Sequence, residues 1–298
     1  MNGMRTRCGA LDLIPLDQPR EGFRMFIGAW LYHGPEGAFV VDPGPASTIP
    51  RLLDEISKRG ITKLDYALLS HIHIDHAGGV GELATRYPGM KVVVHESGLR
   101  HLVDPKKLNE ASRRVLGDLM DTYGDMAAVP QANLMSVKDI GFGSGIRVFP
   151  TPGHAPHHQS FVFEDVLFCG ENLGVQVPLE RGLYMRPSTP PKFYLDRYLG
   201  SLKAMEGHTG RVCLGHFGSL PRMGDRLEKS RKQHLLWAEV LREFAGQKAP
   251  DLDAMIKHLM DADECFATFV DLPPDIQKRE EHLLPNSISG LLGYLRGN

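Results

Sequence analysis

The chain has 298 residues, of which 42% are hydrophobic, and this length is enough to bury the core of one large domain or of a domain with a smaller appendage. The 34 Lys and Arg residues nearly balance the 36 Asp and Glu residues, so overall charge gives no basis for binding nucleic acid or anionic membranes. The four cysteines are scattered without a CxxC pair, which argues against a disulfide framework or a zinc ribbon.

We expect no secretion signal in the first 18 residues, because Asp12 and Pro15 interrupt their apolar stretch. No run approaches the roughly 20 apolar residues that a membrane helix requires. We therefore expect a soluble, cytoplasmic protein.

Alternating strands and helices are predicted along the first third of the chain. The segment 23–41 reads as a β-hairpin around the turn signal Gly-Pro-Glu-Gly, and Ser47 is a plausible N-cap for a helix ending near Arg59. A strand over 64–70, a helix to about Tyr87 and a strand over 91–95 complete a ββαβαβ order.

The remaining chain is predicted to be helical, then extended, then helical again. A helical insertion covers about 99–136, and strands resume at 146–150, 159–170 and 211–215. Four prolines within 178–191 favour a surface loop there. Amphipathic helices are predicted over 225–245, 251–269 and 287–294. We expect a mixed α/β domain over 1–221 and a helical C-terminal region over 222–298.

Three histidines and an aspartate lie within six residues, directly after a predicted strand. They are His71, His73, Asp75 and His76. Imidazole nitrogens and carboxylate oxygens are the ligands that zinc and similar divalent ions prefer. The isoleucines that alternate with them are expected to point into the core, while the polar side chains face a common cavity. The motif therefore predicts a metal site.

This motif resembles the His-x-His-x-Asp-His signature of the metallo-β-lactamase superfamily. Further segments follow that family's pattern: Asp42 in VDPG, His154 in TPGHAPHH, an acid in FCGEN and His216 in LGHFG. The resemblance covers about residues 23–217 and is strongest to the glyoxalase II-like branch and its uncharacterised hydrolase relatives. It implies a four-layer αββα sandwich, here with a helical insertion and a helical C-terminal region that packs near the active site.

The resemblance implies two metal-binding groups in this chain. One ion would be held by His71, His73 and His154, and a second by Asp75, His76 and His216, with Glu171 bridging them. Two ions in such a site lower the pKa of a shared water, and the resulting hydroxide attacks an electrophilic carbonyl or phosphorus. Asp75 would in addition be the catalytic residue. We expect zinc, with iron or manganese as alternatives, because such sites bind several divalent ions.

Glu171 departs from the family's pattern, which usually has Asp at this position. The extra methylene moves the carboxylate by about 1.5 Å. Glu171 would bridge the ions if the backbone shifted; otherwise it would bind one ion only, or would leave the second site weak. We take bridging as the working hypothesis.

Other residues are candidates with an open alternative. Asp42 would orient a ligand histidine from behind, or would simply form a turn before Pro-Gly. His157 is a candidate substrate contact, although structural hydrogen bonding or exposure is the alternative for it and for His158. Three aromatic residues near predicted active-site loops are candidate pocket walls: Tyr184, Tyr194 and Phe217.

The resemblance and the donor set together predict a metal-dependent hydrolase. Its substrate would be a thioester, lactone or related ester of a small molecule, anionic or carbonyl-bearing, with no nucleic-acid or membrane partner and with a homo-oligomer as an open possibility. A mononuclear iron oxidoreductase resembling persulfide dioxygenases is one alternative, and a ligand-binding protein of this fold with low turnover is another. The pocket is expected to be built from 178–191, 99–126 and the C-terminal helices.

Overall fold

Two β-sheets form the centre of the structure. The computed structural model describes residues 4–6, 8–141, 144–216 and 218–297. The first sheet has seven strands in chain order: β1 (Met4–Arg5), β2 (Ala10–Pro15), β3 (Gly28–Gly34), β4 (Gly37–Val41), β5 (Tyr66–Leu68), β6 (Lys91–Val94) and β7 (Leu134–Ser136). Strands β1 to β4 are antiparallel, and β4 to β7 are parallel.

The second sheet has five strands and lies against the first. Its strands are β8 (Ile146–Pro150), β9 (Gln159–Phe163), β10 (Val166–Phe168), β13 (Arg211–Cys213) and β14 (Ser219–Leu220), in the order β14-β13-β10-β9-β8. A separate antiparallel hairpin consists of β11 (Val175–Pro178) and β12 (Leu183–Arg186).

Helices cover the outer faces of both sheets. They are α1 (Ile49–Lys58), α2 (Ile74–Ala77), α3 (Val80–Arg86), α4 (Leu99–Val103), α5 (Lys106–Leu116), α6 (Leu119–Tyr123), α7 (Leu195–Met205), α8 (Arg226–Ala245), α9 (Leu252–Ala262), α10 (Glu264–Ala267) and α11 (Pro274–Leu295). Short 3-10 turns occupy Ala46–Thr48, Gln131–Asn133, Val137–Asp139 and Thr268–Asp271. Within the described residues, none of these helices is both long and apolar enough to cross a membrane.

Three apolar clusters separate the layers. Side chains such as Leu52 of α1 and Leu83 of α3 pack against one face of the first sheet. Trp30 and Phe161 belong to a cluster between the two sheets. A third cluster joins the outer face of the second sheet to α7–α11, with Trp237 fully buried in it. The predicted αββα sandwich with a helical C-terminal region is confirmed.

The spacing of apolar residues in the sequence explains which side chains these elements bury. Helix α1 buries Ile49, Leu52 and Ile56, which recur on one face at helical spacing. Strand β9 is buried at every position because it lies inside the second sheet with layers on both sides. The predicted N-cap at Ser47 is wrong: Thr48 occupies that position, and the Ser47 hydroxyl bonds Gln18 instead.

Several elements differ from the sequence prediction. The segment 178–191 contains β12, whose four residues are all buried, so its interpretation as a surface loop is wrong. The last helix is longer than predicted because α11 continues through Pro285 from Pro274 to Leu295. In the 99–136 insertion, the helices end at Tyr123 and β7 extends the first sheet. The domain boundary at 221 stays a prediction, and residues on both sides of it share one apolar cluster.

Candidate metal centre

The sequence-predicted ligands meet at one edge of the sandwich. Each of them follows the carboxyl end of a strand: His71 and His73 follow β5, His154 follows β8, Glu171 follows β10 and His216 follows β13. Because strands of both sheets end at this edge, the four loops that follow these strands converge there.

The first donor group consists of His71, His73 and His154, whose ligand nitrogens lie within 4.8 Å of one another. The His154 Nε2 atom lies 3.0 Å from His73 Nδ1, and the His154 Nδ1–H donates to the Ser188 carbonyl at 2.9 Å. The His71 Nε2 atom is buried and has no hydrogen-bond partner within the described residues. An unpartnered buried acceptor is costly unless a cation or a donor occupies the space before it.

The second donor group consists of Asp75, His76, Glu171 and His216. The Glu171 Oε1 atom lies 2.6 Å from His216 Nε2 and 3.1 Å from His76 Nε2. The Asp75 Oδ2 atom lies 3.6 Å from His76 Nε2 and 3.9 Å from His216 Nε2. The second Glu171 oxygen, Oε2, is buried without a partner among the described residues.

Asp42 supports both groups from behind. It follows β4 and adopts a φ of +50°, in the left-handed region that Asp and Asn tolerate better than most residues. Its carboxylate accepts hydrogen bonds from the Ser70 N–H at 2.8 Å, from the Ser70 hydroxyl at 2.6 Å and from His76 Nδ1–H at 3.2 Å. The structure therefore places Asp42 behind a candidate ligand, as the sequence predicts.

Hydrogen bonds indicate which ring nitrogen of His71, His76 and His216 faces the centre. His76 Nδ1–H donates to Asp42, and His216 Nδ1–H donates to the Phe26 carbonyl at 2.8 Å. The Ser70 hydroxyl gives its one proton to Asp42, so His71 Nδ1–H donates to Ser70 Oγ at 2.9 Å. In each ring the Nε2 lone pair then points into the centre, as metal ligation requires.

Accepting atoms face one another at short distances in this centre. His216 Nε2 and His76 Nε2 both point at the Glu171 carboxylate, so each contact requires either a proton on the ring or a cation between the groups. Lone pairs at such distances repel unless positive charge lies among them. The donor types, the partnerless buried atoms and this arrangement fit divalent cations of the zinc class.

The electrostatic character of the two groups differs. Burial, reinforced by the neighbouring imidazoles, lowers the pKa of His71 and His73 well below the ordinary histidine value. Burial would also lower the pKa of His76, but Asp75, Asp42 and Glu171 outweigh it and hold that pKa well above the ordinary value. Burial would raise the pKa of Glu171, but the nearby imidazoles of His216 and His154 hold it well below the ordinary value. Positive charge is therefore attracted most strongly to the second group.

His158 has a structural role, which is the alternative that the sequence left open. It is buried, its Nδ1 lies 3.0 Å from the Thr151 carbonyl, and its Nε2 accepts the Glu171 backbone N–H at 3.1 Å. Gly170 has a φ of +54°, and a Cβ there would lie 2.4 Å from His158 Nε2. Glycine at this position therefore lets His158 hold the Glu171 backbone in place.

A cavity of about 390 Å³ opens from the centre. His73, Asp75, His154, Glu171 and His216 form its inner wall. The outer walls come from α5, from the segment 186–192 and from α11. The three regions that the sequence predicts to build the pocket all contribute.

The four candidate substrate contacts have different positions. His157 lines the cavity, half-buried, with its ring 6.2 Å from that of His73, and burial lowers its pKa to about 4. Tyr184 is fully buried in the outer apolar cluster and donates its hydroxyl to Glu280, so its prediction as a pocket wall is wrong. Tyr194 precedes α7 and packs under the Arg197 guanidinium rather than lining the cavity. Phe217 lies outside the described residues.

Three residues at the centre, Phe26, Arg279 and Ser70, were not predicted from the sequence. Phe26 stacks on the His216 ring with the centroids 4.1 Å apart and the planes 4° apart, and the Arg279 guanidinium lies 4.3 Å from the Phe26 centroid. No sequence signal connects these distant positions. Ser70 directly precedes the metal motif, so its position between Asp42 and His71 could have been suspected from adjacency.

Comparisons with known proteins agree with this geometry. A metallo-β-lactamase fold-containing protein from Sulfurisphaera tokodaii is 38% identical over 152 residues, which are 48% of this chain and 56% of that protein. A hydroxyacylglutathione hydrolase from Xylella fastidiosa is 32% identical over 189 residues, 63% of this chain and 58% of that protein. The matches thus span a little over half the length of these relatives.

Solved structures and a family model extend the similarity. An archaeal metallo-β-lactamase superfamily protein from Sulfolobus tokodaii superposes with a TM-score of 0.69 at 26% identity, over 94% of this chain and 97% of that one. A metallo-β-lactamase family protein from Thermus thermophilus shares the fold, with a TM-score of 0.67 at 22% identity, over 96% of this chain and 93% of that one. The model of the metallo-β-lactamase superfamily matches residues 24–216, and this chain belongs to that superfamily.

Proposed function

We propose that this protein is a metal-dependent hydrolase that cleaves a thioester, lactone or related ester of a small molecule. The observation that carries the proposal is the pair of donor groups, each with ligand atoms within 4.8 Å of one another, opening into one cavity. The hydroxyacylglutathione hydrolases among its relatives support the same reaction class.

Each of the two donor groups would bind one divalent ion. His71, His73 and His154 would hold one ion, and the group at Asp75, His76 and His216 would hold the other. Glu171 would contribute its carboxylate to both ions, and its Oε2 atom has no hydrogen-bond partner among the described residues. Zinc suits these nitrogen and oxygen ligands, and iron and manganese are alternatives.

Bound divalent ions supply a nucleophile at neutral pH and polarise the carbonyl of an ester or thioester. Asp75 would act as the catalytic residue, because its carboxylate both belongs to the second group and lines the cavity, where it would orient the attacking water and accept its proton. His157, which lines the cavity beside His73, would face the substrate as a neutral imidazole, since its pKa is about 4.

A mononuclear iron oxidoreductase is the second candidate. In that case Asp75, His76, Glu171 and His216 would hold no ion of their own, although they offer as complete a donor set as the first group. The completeness of the second group favours the hydrolase. The identity of the bound metal would distinguish the oxidoreductase from the hydrolase, since one Fe(II) with open coordination positions supports oxygen chemistry.

A substrate panel tests the proposal. Metal-depleted protein is reloaded with zinc, manganese or iron and assayed on a thioester, a lactone, a phosphodiester and a β-lactam. We expect hydrolysis of the thioester or the lactone, and a loss of at least about 100-fold in His73→Ala, because a missing ligand costs several kcal/mol of charge stabilisation. His258→Ala removes an exposed histidine on α9 as the matched control. Uniform inactivity across the panel in every metal form would refute the hydrolase and favour a ligand-binding role.

A further inference from the structure

One wall of the cavity is formed by helix α5 (Lys106–Leu116), none of whose residues is buried. The helix lies between two other helices of the insertion. Its residues Leu108, Ala111, Ser112, Val115 and Leu116 line the cavity, together with Lys107 in its first turn. This spacing, three and four residues apart, is that of one continuous helix face.

The two ends of this face pack against the first apolar cluster. Leu108 and Leu116 pack at the edge of the first apolar cluster, whereas Val115 remains 40% exposed. An amphipathic helix normally buries such a face against a neighbouring element, since exposed apolar surface costs free energy. Here the middle of the face is turned to the cavity instead.

The middle of this face, at Ala111, Ser112 and Val115, carries no charged side chain, and the lining lysines, Lys107 and Lys192, are exposed. The carboxylates among the lining residues, Asp75 and Glu171, both belong to the metal centre. Arg186 also lines the cavity, but its guanidinium is buried in an ion pair with Glu280. On α5 itself, Ser112 and Lys107 are the polar side chains among the six lining residues, and Lys107 is exposed in the first turn of the helix. A hydrocarbon chain is therefore the ligand that this face would bind without leaving polar groups unpaired.

We propose, on the basis of the proposed hydrolase function, that the substrate carries an unbranched acyl chain and that this chain lies on the α5 face. The cavity joins the face directly to the metal centre, so one molecule can present its carbonyl to the centre and its chain to the helix. The face spans eight residue steps, or about 12 Å, and a zigzag of carbon–carbon bonds covers that length in roughly ten carbons. Ala111 lies at the middle of the face.

Acyl chain length provides the test. Acetyl, butyryl and octanoyl thioesters of N-acetylcysteamine share one thiol and one scissile bond, so they differ only in the chain. Each fully buried methylene strengthens binding about fourfold, and each methylene of a chain covered on one side is expected to strengthen it about twofold. We therefore expect kcat/KM to rise about 15-fold from butyryl to octanoyl.

Two variants place a carboxylate on the α5 face, Ala111→Asp and Val115→Asp. Because α5 has no buried residue, both are expected to fold, and the preference for octanoyl should shrink to within about twofold. Arg114→Asp puts the same carboxylate on an exposed residue outside the cavity lining and should keep the preference.

The outcomes distinguish this inference from the proposed function. If no thioester is hydrolysed, calorimetric binding of octanoate and butyrate still tests the face, and tighter binding of octanoate that is lost in Ala111→Asp supports it. Equal kcat/KM or equal binding for the short and long chains overturns the inference while leaving the hydrolase intact. A preference that persists in both aspartate variants overturns it too. A third result would also overturn it: the wild-type protein is a dimer without any preference for chain length, and Val115→Asp dissociates that dimer. The face would then be a contact between copies of the chain.

Discussion

Asp42 is expected to control the second donor group through His76. The substitution Asp42→Asn keeps the size of the side chain, and Asn tolerates the φ of +50° at this position. The amide retains one oxygen for the Ser70 N–H but turns an NH₂ group toward His76 Nδ1. To accept from this donor, the His76 ring must move its proton to Nε2, the atom that points at Glu171.

The cost can be worked from the three hydrogen bonds that the carboxylate accepts. A hydrogen bond to a charged partner contributes about 1.5–3 kcal/mol and a neutral one about 0.5–1.5, so neutralising Asp42 should cost about 3 kcal/mol in all. The free energy of unfolding of metal-depleted protein, measured by urea denaturation, reports this loss. The wrong His76 tautomer should weaken binding of the second ion by about 10- to 100-fold in a competition titration with a chelator.

Ser70→Ala is the matched control for Asp42→Asn. It removes the hydroxyl that links Asp42 to His71 and leaves the contact between Asp42 and His76 in place. We expect it to weaken the ion at His71, His73 and His154, and to spare the other. Nitrogen chemical shifts of the His76 ring should report the tautomer change in Asp42→Asn alone. Wild-type stability and unchanged affinity for both ions in Asp42→Asn would refute the reasoning.

Two further predictions concern buried groups away from the centre. His234 is buried with a pKa lowered to about 4, mainly by burial, whereas in the unfolded chain it titrates near 6.5. Between these two pH values His234 is protonated in the unfolded chain but neutral in the folded protein. The free energy of unfolding therefore falls as pH is lowered from 6.5 toward 4, by about 2 kcal/mol at pH 5. The change in unfolding free energy from pH 7 to pH 5, measured by urea denaturation, should therefore be smaller by about that amount in His234→Phe. Glu280 is buried between Arg186 and Arg279, so Glu280→Gln should cost about 3–5 kcal/mol in the same assay at neutral pH, because it leaves two guanidinium groups without their carboxylate.

Each of these predictions has its own control. Tyr184→Phe removes only the hydroxyl that donates to Glu280 and should cost about 1–2 kcal/mol, so an equal loss in both variants would contradict the charge argument. For His234, a parallel pH dependence in wild type and variant would show that other groups account for the acid sensitivity. His258→Ala, on an exposed histidine, should leave that pH dependence unchanged.

The parts of the site that are local in sequence could be predicted from the sequence. The His71 to His76 motif directly follows β5, and the strand ends that supply Glu171 and His216 were marked by buried apolar runs. The structure brings all these residues together. Their assignment as ligands stays a prediction, because geometry alone does not load an ion.

Parts that depend on distant packing could not be predicted. Tyr184 lies beside prolines that favour a loop, yet β12 is buried because α10 and α11 cover it. Helix α11 continues through Pro285, whose missing N–H reads locally as a helix break. The free face of α5 has the same period as a core-facing helix, so only the structure shows that it faces a cavity.

Metal stoichiometry at the onset of activity tests the central claim most directly. Metal-depleted protein is titrated with zinc, and bound metal and hydrolysis of the preferred ester or thioester are measured at each addition. We expect activity to be complete at two ions per chain, Glu171→Asp to keep both ions, and Glu171→Gln to retain one. Full activity at one equivalent or less, with no second ion bound under zinc-replete conditions, would contradict the two-metal centre.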